Sequence, residues 1–304
     1  MIKKKQIIIF AYGFMGKFVY ESFLKSKSFE IKGIILPNNH SIYTTSIDKK
    51  KIAKKIKILN IDNKEKIYNF IKLLKPNLII VSTFNRILSP KILNLSNFIN
   101  IHHGKLPKQK GRASINWALI MGRNCIYITI HEINSQLDAG KIIKQVKFKI
   151  NSNDNYLSLQ KKINVFLKLK ISKILSIYLN NKTKLKNNNK KNETWNCSRN
   201  LEDGMINFFN KRTKVINLIK GLKSEKFGAF CFLKQNKITI LDAKIGNKKF
   251  EGIIPGRITK IHKNGSIECL CSDGPIIIKQ IKFKKKLVKP SFLIKSTRDT
   301  LLND

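Results

Sequence analysis

Acidic residues are scarce in this chain. Eighteen Asp and Glu stand against 61 Lys and Arg, a formal net charge of +43 over 304 residues. Such an excess points to a polyanionic partner, nucleic acid first and an anionic membrane surface second. The chain is also rich in Lys, Asn and Ile, the residues of A/T-rich codons, so genome composition is a competing source of the lysines. Codon drift alone does not explain so few acids. Cysteine is sparse as well: Cys125, Cys197, Cys231, Cys269 and Cys271 are odd in number, scattered, and without a Cys-x-x-Cys pair. That excludes a disulfide framework and a cysteine zinc site, leaves no metal to expect, and suits a reducing cytoplasm. No apolar run reaches the ~18 residues of a membrane span. Lys3–Lys5 before Ile7–Phe10 imitates a secretory signal, but the run is short, is cut by Gly13 and Gly16, and lacks a cleavage site. The expectation is a soluble, monomeric protein with no membrane partner. The turn Gly-Phe-Met-Gly lacks a full Gly-x-Gly-x-x-Gly fingerprint, so a dinucleotide site is not expected; its glycines serve tight strand-to-helix packing.

What is present alternates. Gln6–Ala11 reads as a buried strand, Gly16–Ser26 as a helix and Ile31–Leu36 as a second strand. The basic segment Asp48–Lys57 carries Ile52 and Ile56 at helical spacing. Asn63–Leu74 has Ile67, Phe70, Ile71 and Leu74 on one face, an amphipathic helix stopped by Pro76. Leu78–Ser82 is an apolar strand with Thr83–Leu88 as its exit loop. Ser114–Met121 is helical, Ile126–Ile133 and Ile142–Ile150 are strands, and Asn155–Leu179 is a long helix. Strand and helix in alternation mean βαβ units and a parallel sheet. Residues 181–203 are polar, basic and of low complexity, which reads as a linker, with lysines at Lys182, Lys184, Lys186, Lys190 and Lys191. After it come a helix at Lys211–Leu222 and about five short strands separated by Gly turns, which suit a small OB-like β-barrel. The expected organisation is a Rossmann-like α/β domain over 1–180, a linker over 181–203, and a β-barrel domain over 204–304.

The chemistry concentrates at Phe98–Arg112. Phe98–His102 is a short apolar strand, so Asn100 and His102 project to one face, roughly 6–7 Å apart. Polar residues at the carboxyl end of a buried strand sit where open α/β sheets place their sites. By the same alternation His103 faces away and is structural. His131 reads as an ordinary strand residue.

Asn100-x-His102, the loop Leu106-Pro107-x-x-x-Gly111, and Leu137-Asp138-Ala139-Gly140, in this order, resemble the formyltransferases that use 10-formyltetrahydrofolate. The resemblance covers almost the entire chain, and Glu202–Asn207 looks like that family's entry to a C-terminal OB-like domain. It implies catalytic roles for Asn100, His102 and Asp138. It also implies a folate pocket at Thr83, Phe84, Asn85, Arg86, Ile87 and Leu88, and an acceptor loop at Lys105, Leu106, Pro107, Lys110, Gly111 and Arg112. Two departures are Lys110, where the family has Arg, and Gly104-Lys105, where it has a Ser-Leu pair. A Lys-for-Arg change loses bidentate geometry toward an anionic group.

The resemblance implies a primary amine as acceptor and divides over which. Methionyl initiator tRNA suits the basic tail and linker, so tRNA is the expected partner. A nucleotide-linked amino sugar is the alternative, suggested by Phe10-Ala11-Tyr12, Gly111-Arg112-Ala113, Ile115-Asn116-Trp117 and Thr129-Ile130-His131, and by the missing Gly-Thr-Pro turn.

Overall fold

Ile7–Ala11 is apolar on both of its faces, and such a strand needs cover on two sides. The computed structural model describes residues 3–37, 47–61, 63–84, 86–224 and 228–302, and it divides the chain into two units. The elements run β1 (Lys5–Ala11), α1 (Gly13–Leu24), β2 (Phe29–Pro37), β3 (Lys57–Ile61), α2 (Lys64–Leu74), β4 (Leu78–Ser82), α3 (Pro90–Leu93) and β5 (Phe98–His102). There follow β6 (Lys110–Gly111), α4 (Ser114–Ile120), β7 (Cys125–Glu132), β8 (Ile142–Lys149), α5 (Tyr156–Leu179) and β9 (Trp195–Asn196). The first unit takes residues 1–114, 126–148 and 160–197; residues 115–125 and 149–159 belong with 198–304 in the second.

The first unit is built on a seven-stranded sheet in the order β3-β2-β1-β4-β5-β7-β8. Strands β3, β2, β1, β4 and β5 pair in parallel, as the alternation of strand and helix requires. Strand β7 corrects the expectation of a purely parallel sheet: it runs antiparallel to β5. A parallel return needs a crossover helix over the sheet. Between β5 and β7 the only full helix, α4, belongs almost entirely to the other unit.

Helix α2 shows how local sequence builds the cover. The Asn63 carboxamide oxygen accepts from Lys66 N at 2.8 Å and caps its start. Lys75 ends it in a left-handed conformation, just before Pro76. Ile67 and Ile71 are buried against Ile8, Phe10, Ile79 and Val81 on one face of the sheet. Each such side chain contributes about 1.5–3 kcal/mol of burial. In α5, Ile163, Leu167, Ile171 and Leu175 recur every fourth residue and are fully buried. This helix meets α1 through Ser172–Ser22 at 3.1 Å and Lys168–Glu21 at 2.7 Å.

Two stretches differ from their reading in the sequence. Asp48–Lys57 is not one helix: a 3-10 turn spans Lys49–Lys51, and Lys57 already opens edge strand β3. Ile52 and Ile56 are both buried all the same. Residues 182–196, low in complexity, are hydrogen-bonded into the first unit: Lys186 pairs with Ile142, and β9 lies parallel to β6.

In the second unit, α6 (Arg212–Leu222) precedes β10 (Ala229–Leu233), β11 (Asn236–Ile245), β12 (Ile258–Ile261), β13 (Ile267–Cys271), β14 (Gly274–Phe283), β15 (Lys286–Val288) and β16 (Leu301–Leu302). They form an antiparallel sheet ordered β12-β13-β14-β11-β10-β16, with β15 on β14. Bonds Ile258 N→Asp299 O (3.0 Å) and Leu301 N→Gly256 O (2.8 Å) tie the β12 edge to the run entering β16. Val215, Ile216 and Ile219 of α6 join the core with Ile238, Ile240, Ile276 and Ile278. Burial pushes the Cys231 thiol up to about 12, so it packs there as a small hydrophobe. Among the described residues no helix is long and apolar enough to cross a membrane.

Candidate functional site

The carboxyl end of β5 gathers the polar residues. Asn100, His102 and Asp138 come together in the first unit, and Asp138 is the hub. Its Oδ1 accepts from Asn100 Nδ2 at 3.4 Å, and its Oδ2 accepts from Gly111 N at 3.2 Å and lies 3.5 Å from His102 Nδ1. His102 and Asp138 are both buried. His131 also belongs to the cluster: its Nε2 lies 3.1 Å from Asn100 Nδ2 and 3.6 Å from Asp138 Oδ1. The sheet register explains this, because Asn100 faces His131 directly across the antiparallel β5–β7 pair and His102 faces Thr129.

The hydrogen bonds fix most of the protons. A carbonyl only accepts, so His102 Nε2, 2.8 Å from Gln109 O, carries a hydrogen, and so does His131 Nδ1, 2.7 Å from Glu132 O. His131 Nε2 is then left to accept from Asn100, and His102 Nδ1 is left facing the Asp138 carboxylate. Burial lowers the pKa of His102; Asp138 and the Gln109 carbonyl oppose that shift without reversing it, and His131 adds to it. Asp138 goes the other way. Burial alone raises its pKa, but the nearby His131 ring, the charge of His102 and the Gly111 amide together outweigh that and lower it. The pair therefore rests as neutral imidazole beside carboxylate.

The backbone is held in unusual conformations around this cluster. Thr83 (φ 60°), Gln109 (φ 63°), Ala113 (φ 57°) and Asp138 (φ 49°) are all left-handed without being glycine. Each costs on the order of 1–3 kcal/mol, and such outliers concentrate at functional sites. Gly104 fits the same picture. A Cβ there would meet His102 Nε2 at 2.5 Å and Gln109 O at 2.7 Å, so glycine clears the space in which those two atoms bond.

The other sequence-selected positions divide. In the acceptor loop Lys105 is exposed, with its ammonium 5.1 Å from the Tyr127 ring centre. Leu106 is buried, its carbonyl accepting from Gln145 Nε2 at 2.7 Å, and it joins Pro107 through a cis peptide. Lys110 is 2% exposed and paired with Glu193 Oε2 at 2.6 Å, which leaves it engaged within the protein rather than presented to a ligand. Arg112 is exposed. In the β4 exit loop, Phe84 packs edge-on to Phe10 and Tyr12 at 5.0 and 5.5 Å, and Leu88 is buried. Arg86 and Ile87 are exposed, and Asn85 lies outside the described residues, as does the side chain of Lys190. Burial raises the Tyr12 hydroxyl to about 12 against the opposing charge of Arg86. The hydroxyls of Ser82 and Thr83 are buried at the end of β4 without a hydrogen-bond partner. Among the described residues no group of three or more His, Cys, Asp or Glu is arranged to hold a metal.

His103 points away from the cluster, as alternation requires. Its Nε2 is buried without a partner, and burial followed by the charge of His102 lowers its pKa to about 4. Folding therefore excludes a proton that the unfolded chain binds below pH 6.5. The stability this group contributes is full above that pH and is lost as pH falls toward 4, by about 3 kcal/mol. Urea denaturation at pH 7 and pH 4.5 is expected to show a smaller pH dependence in His103→Gln than in the native chain; equal dependence contradicts the assignment.

Comparison with known proteins bears on this arrangement. The formyl transferase family model matches residues 23–171, and the model for its C-terminal domain matches residues 200–298. The methionyl-tRNA formyltransferase of Malacoplasma penetrans is 29% identical over 301 residues, covering 93% of this chain and 91% of that protein. That of Clostridium tetani is 31% identical over 237 residues, 76% of this chain and 74% of its own. The bifunctional polymyxin resistance protein ArnA of Wigglesworthia glossinidia brevipalpis is 28% identical over 322 residues, covering 98% of this chain but 49% of that longer protein. Two solved structures share the fold. HypX from Aquifex aeolicus with tetrahydrofolic acid has a TM-score of 0.69 at 13% identity, over 96% of this chain and 47% of that one. An N-formyltransferase from Helicobacter canadensis with folinic acid and dTDP-3-aminofucose has a TM-score of 0.67 at 20% identity, over 91% and 99%.

Proposed function

The chain belongs to the formyl transferase family, and from that premise we propose that it moves a formyl group from 10-formyltetrahydrofolate onto the amino group of methionyl initiator tRNA. The observation that carries the reading is the Asn100–His102–Asp138 cluster, gathered at one strand end with contacts of 3.2–3.5 Å around the Asp138 carboxylate. Bound folate supplies the formyl carbon. The unpartnered hydroxyls of Ser82 and Thr83, with the half-buried Phe84, suit the polar edge and flat face of its ring system.

Attack of the amine on the formyl carbon places negative charge on the formyl oxygen. Asn100 answers it with an amide N–H exchanged from His131 Nε2, a donor of the kind worth ~2.7–4 kcal/mol. The amine proton passes by way of the Asp138 carboxylate or a water to His102 Nδ1, the nitrogen that the Gln109 bond leaves open. The Asp138 charge, 3.5 Å away, stabilises the imidazolium that results. The carbon–nitrogen bond to the folate then breaks, and the folate nitrogen recovers the proton.

A tRNA acceptor is supported by the likeness to the methionyl-tRNA formyltransferases of Malacoplasma and Clostridium and by the +43 charge. It is supported further by a cavity of about 390 Å³ in the second unit, lined by Lys237, Lys282, Lys284 and Lys285 among others. The closing bonds between Gly256–Ile258 and Asp299–Leu301 favour reading that unit as an OB-like barrel. We read the enzyme as a cytoplasmic monomer, which suits its five free cysteines. A nucleotide-linked amino sugar is the second reading, favoured by His131 lying inside the cluster and by the likeness to ArnA. Labelled 10-formyltetrahydrofolate offered with either acceptor tests the proposal. Label is expected in acid-precipitable tRNA, and label in the sugar alone overturns it.

A further inference from the structure

Residues 186–196 have the composition of a flexible connection and the contacts of a fixed one. At one end, Lys186 and Ile142 exchange two backbone bonds of 2.9 Å. Asn188 Nδ2 donates to Asp138 O at 2.8 Å and to Gly140 O at 3.2 Å, gripping the left-handed turn that carries the carboxylate. At the other end, Thr194 Oγ1 accepts from Gln109 N at 3.0 Å, and Thr194 O accepts from Lys110 N at 2.9 Å. Gln109 is the residue whose carbonyl holds His102. Asn196 lies in register with Gly111 and donates to Ser114 Oγ at 3.0 Å. Gly111 has φ 87°, and a Cβ on it would sit 2.6 Å from Asn196 O, so the loop and residues 186–196 are fitted without slack.

Between these ends lies a charge cluster with no evident purpose in a linker. Glu193 Oε2 meets the buried Lys110 ammonium at 2.6 Å, Glu193 Oε1 accepts from Trp195 Nε1 at 3.3 Å, and the ammonium lies 5.3 Å from the Trp195 ring centre. A buried lysine keeps its place only while its charge is paired. We propose that residues 186–196 are a positioning strap for formyl transfer, clasped by the Lys110–Glu193 pair, which holds the Gln109 carbonyl on His102 and the Asp138 turn in place. The proposal rests on the roles given above to His102 and Asp138, and it is independent of which amine is the acceptor.

The strap makes Glu193 and Asn188 positioning residues, remote from the reacting atoms. Opening the clasp lets the loop relax and withdraws the Gln109 carbonyl from His102 Nε2. That bond favours the charged ring, so its loss lowers the His102 pKa further. Among the described residues the titratable groups facing His102 are Asp138 and His131; His103, next to it in the chain, points away but is coupled to its charge, and the substitutions below leave all three in place.

The test compares Glu193→Gln with the double substitution Lys110→Met/Glu193→Met in the full chain. The double removes both charges and leaves unbranched apolar side chains of similar length. His102 titration, followed by imidazole nitrogen NMR in the protein without donor or acceptor, is the first readout; kcat and KM are the second. Glu193→Gln is expected to lower the His102 pKa and to reduce kcat on the order of 10²-fold, the cost of a misplacement of about 1 Å, with donor KM unchanged. The double is expected to restore the His102 titration and most of kcat. A native titration in folded Glu193→Gln overturns the strap, and so does a double no better than the single. Should Glu193→Gln fail to fold, a displaced His102 titration in the folded double overturns it as well. Native titration with raised acceptor KM in both variants assigns Lys110 to the acceptor instead, and overturns it too. The titration is read without substrate, so a wrong acceptor assignment leaves it intact.

Discussion

Asp138→Asn is expected to lower kcat by about 10²–10⁴-fold while leaving the fold in place. Asparagine keeps the shape and can still accept from Gly111 N, now 3.2 Å from Oδ2, so the loop geometry has no reason to change. What disappears is the charge 3.5 Å from His102 Nδ1. His102 is already held neutral by burial, and without that carboxylate the proton leaving the amine has no stabilised place to go. The loss should fall on kcat with KM for the donor little changed, because the group acts as charge develops rather than in the resting complex. Far-UV circular dichroism and the melting temperature check that the variant is folded. A folded variant within about tenfold of native kcat removes Asp138 from the mechanism.

Replacing Lys237, Lys282, Lys284 and Lys285 together by glutamine is expected to flatten the salt dependence of tRNA binding. Each lysine that neutralises a phosphate releases counterions, so log affinity falls against log salt with a slope near −0.9 per contact on a B-form duplex. Losing four contacts should make the slope shallower by roughly four units. The four lysines line one cavity in the second unit, and Lys237 lies 3.6 Å from the Phe230 ring centre, a well-anchored cation beside an aromatic face. An amino-sugar nucleotide carries two phosphates and should respond far less to salt. Filter binding from 50 to 400 mM KCl reads the slope. An unchanged slope in the quadruple variant means that this cavity makes no phosphate contact, and the charge then loses its value as evidence for tRNA.

Residue types and chain order carried much of the site. Asn100 and His102 share a face by strand alternation, and the Asp-Ala-Gly turn follows in the family's order, so their meeting is legible in the sequence. His131 was not, because it enters through the register between β5 and β7, and a sequence specifies alternation without specifying register. Thr129-Ile130-His131 did hold a signal, since His131 ends an apolar run one strand from the Asn-His pair. The burial of Lys110 was hidden for a different reason. Its partner Glu193 is 83 residues away, in a segment whose polarity reads as solvated linker. Low complexity reports how little core a segment can build, and it is silent about bonds made to a surface that already exists. Strand β3 was masked by the lysines around it, which on an edge strand project into water and discourage further pairing. The apolar strands β1 and β4 and the helix α2 were plain because burial on both faces, or on one stripe, leaves little freedom in composition.

The central claim is transfer of a formyl group to the amine of an aminoacyl-tRNA at the Asp138-centred site. The most direct test is a competition in one vessel, with labelled 10-formyltetrahydrofolate, methionyl initiator tRNA and a mixture of UDP- and dTDP-amino sugars at equal concentration, run with native enzyme and with Asp138→Asn. The expected result is label in the tRNA, released as formylmethionine, and its loss in the variant; label in a sugar nucleotide, or equal labelling of tRNA by both proteins, contradicts the account.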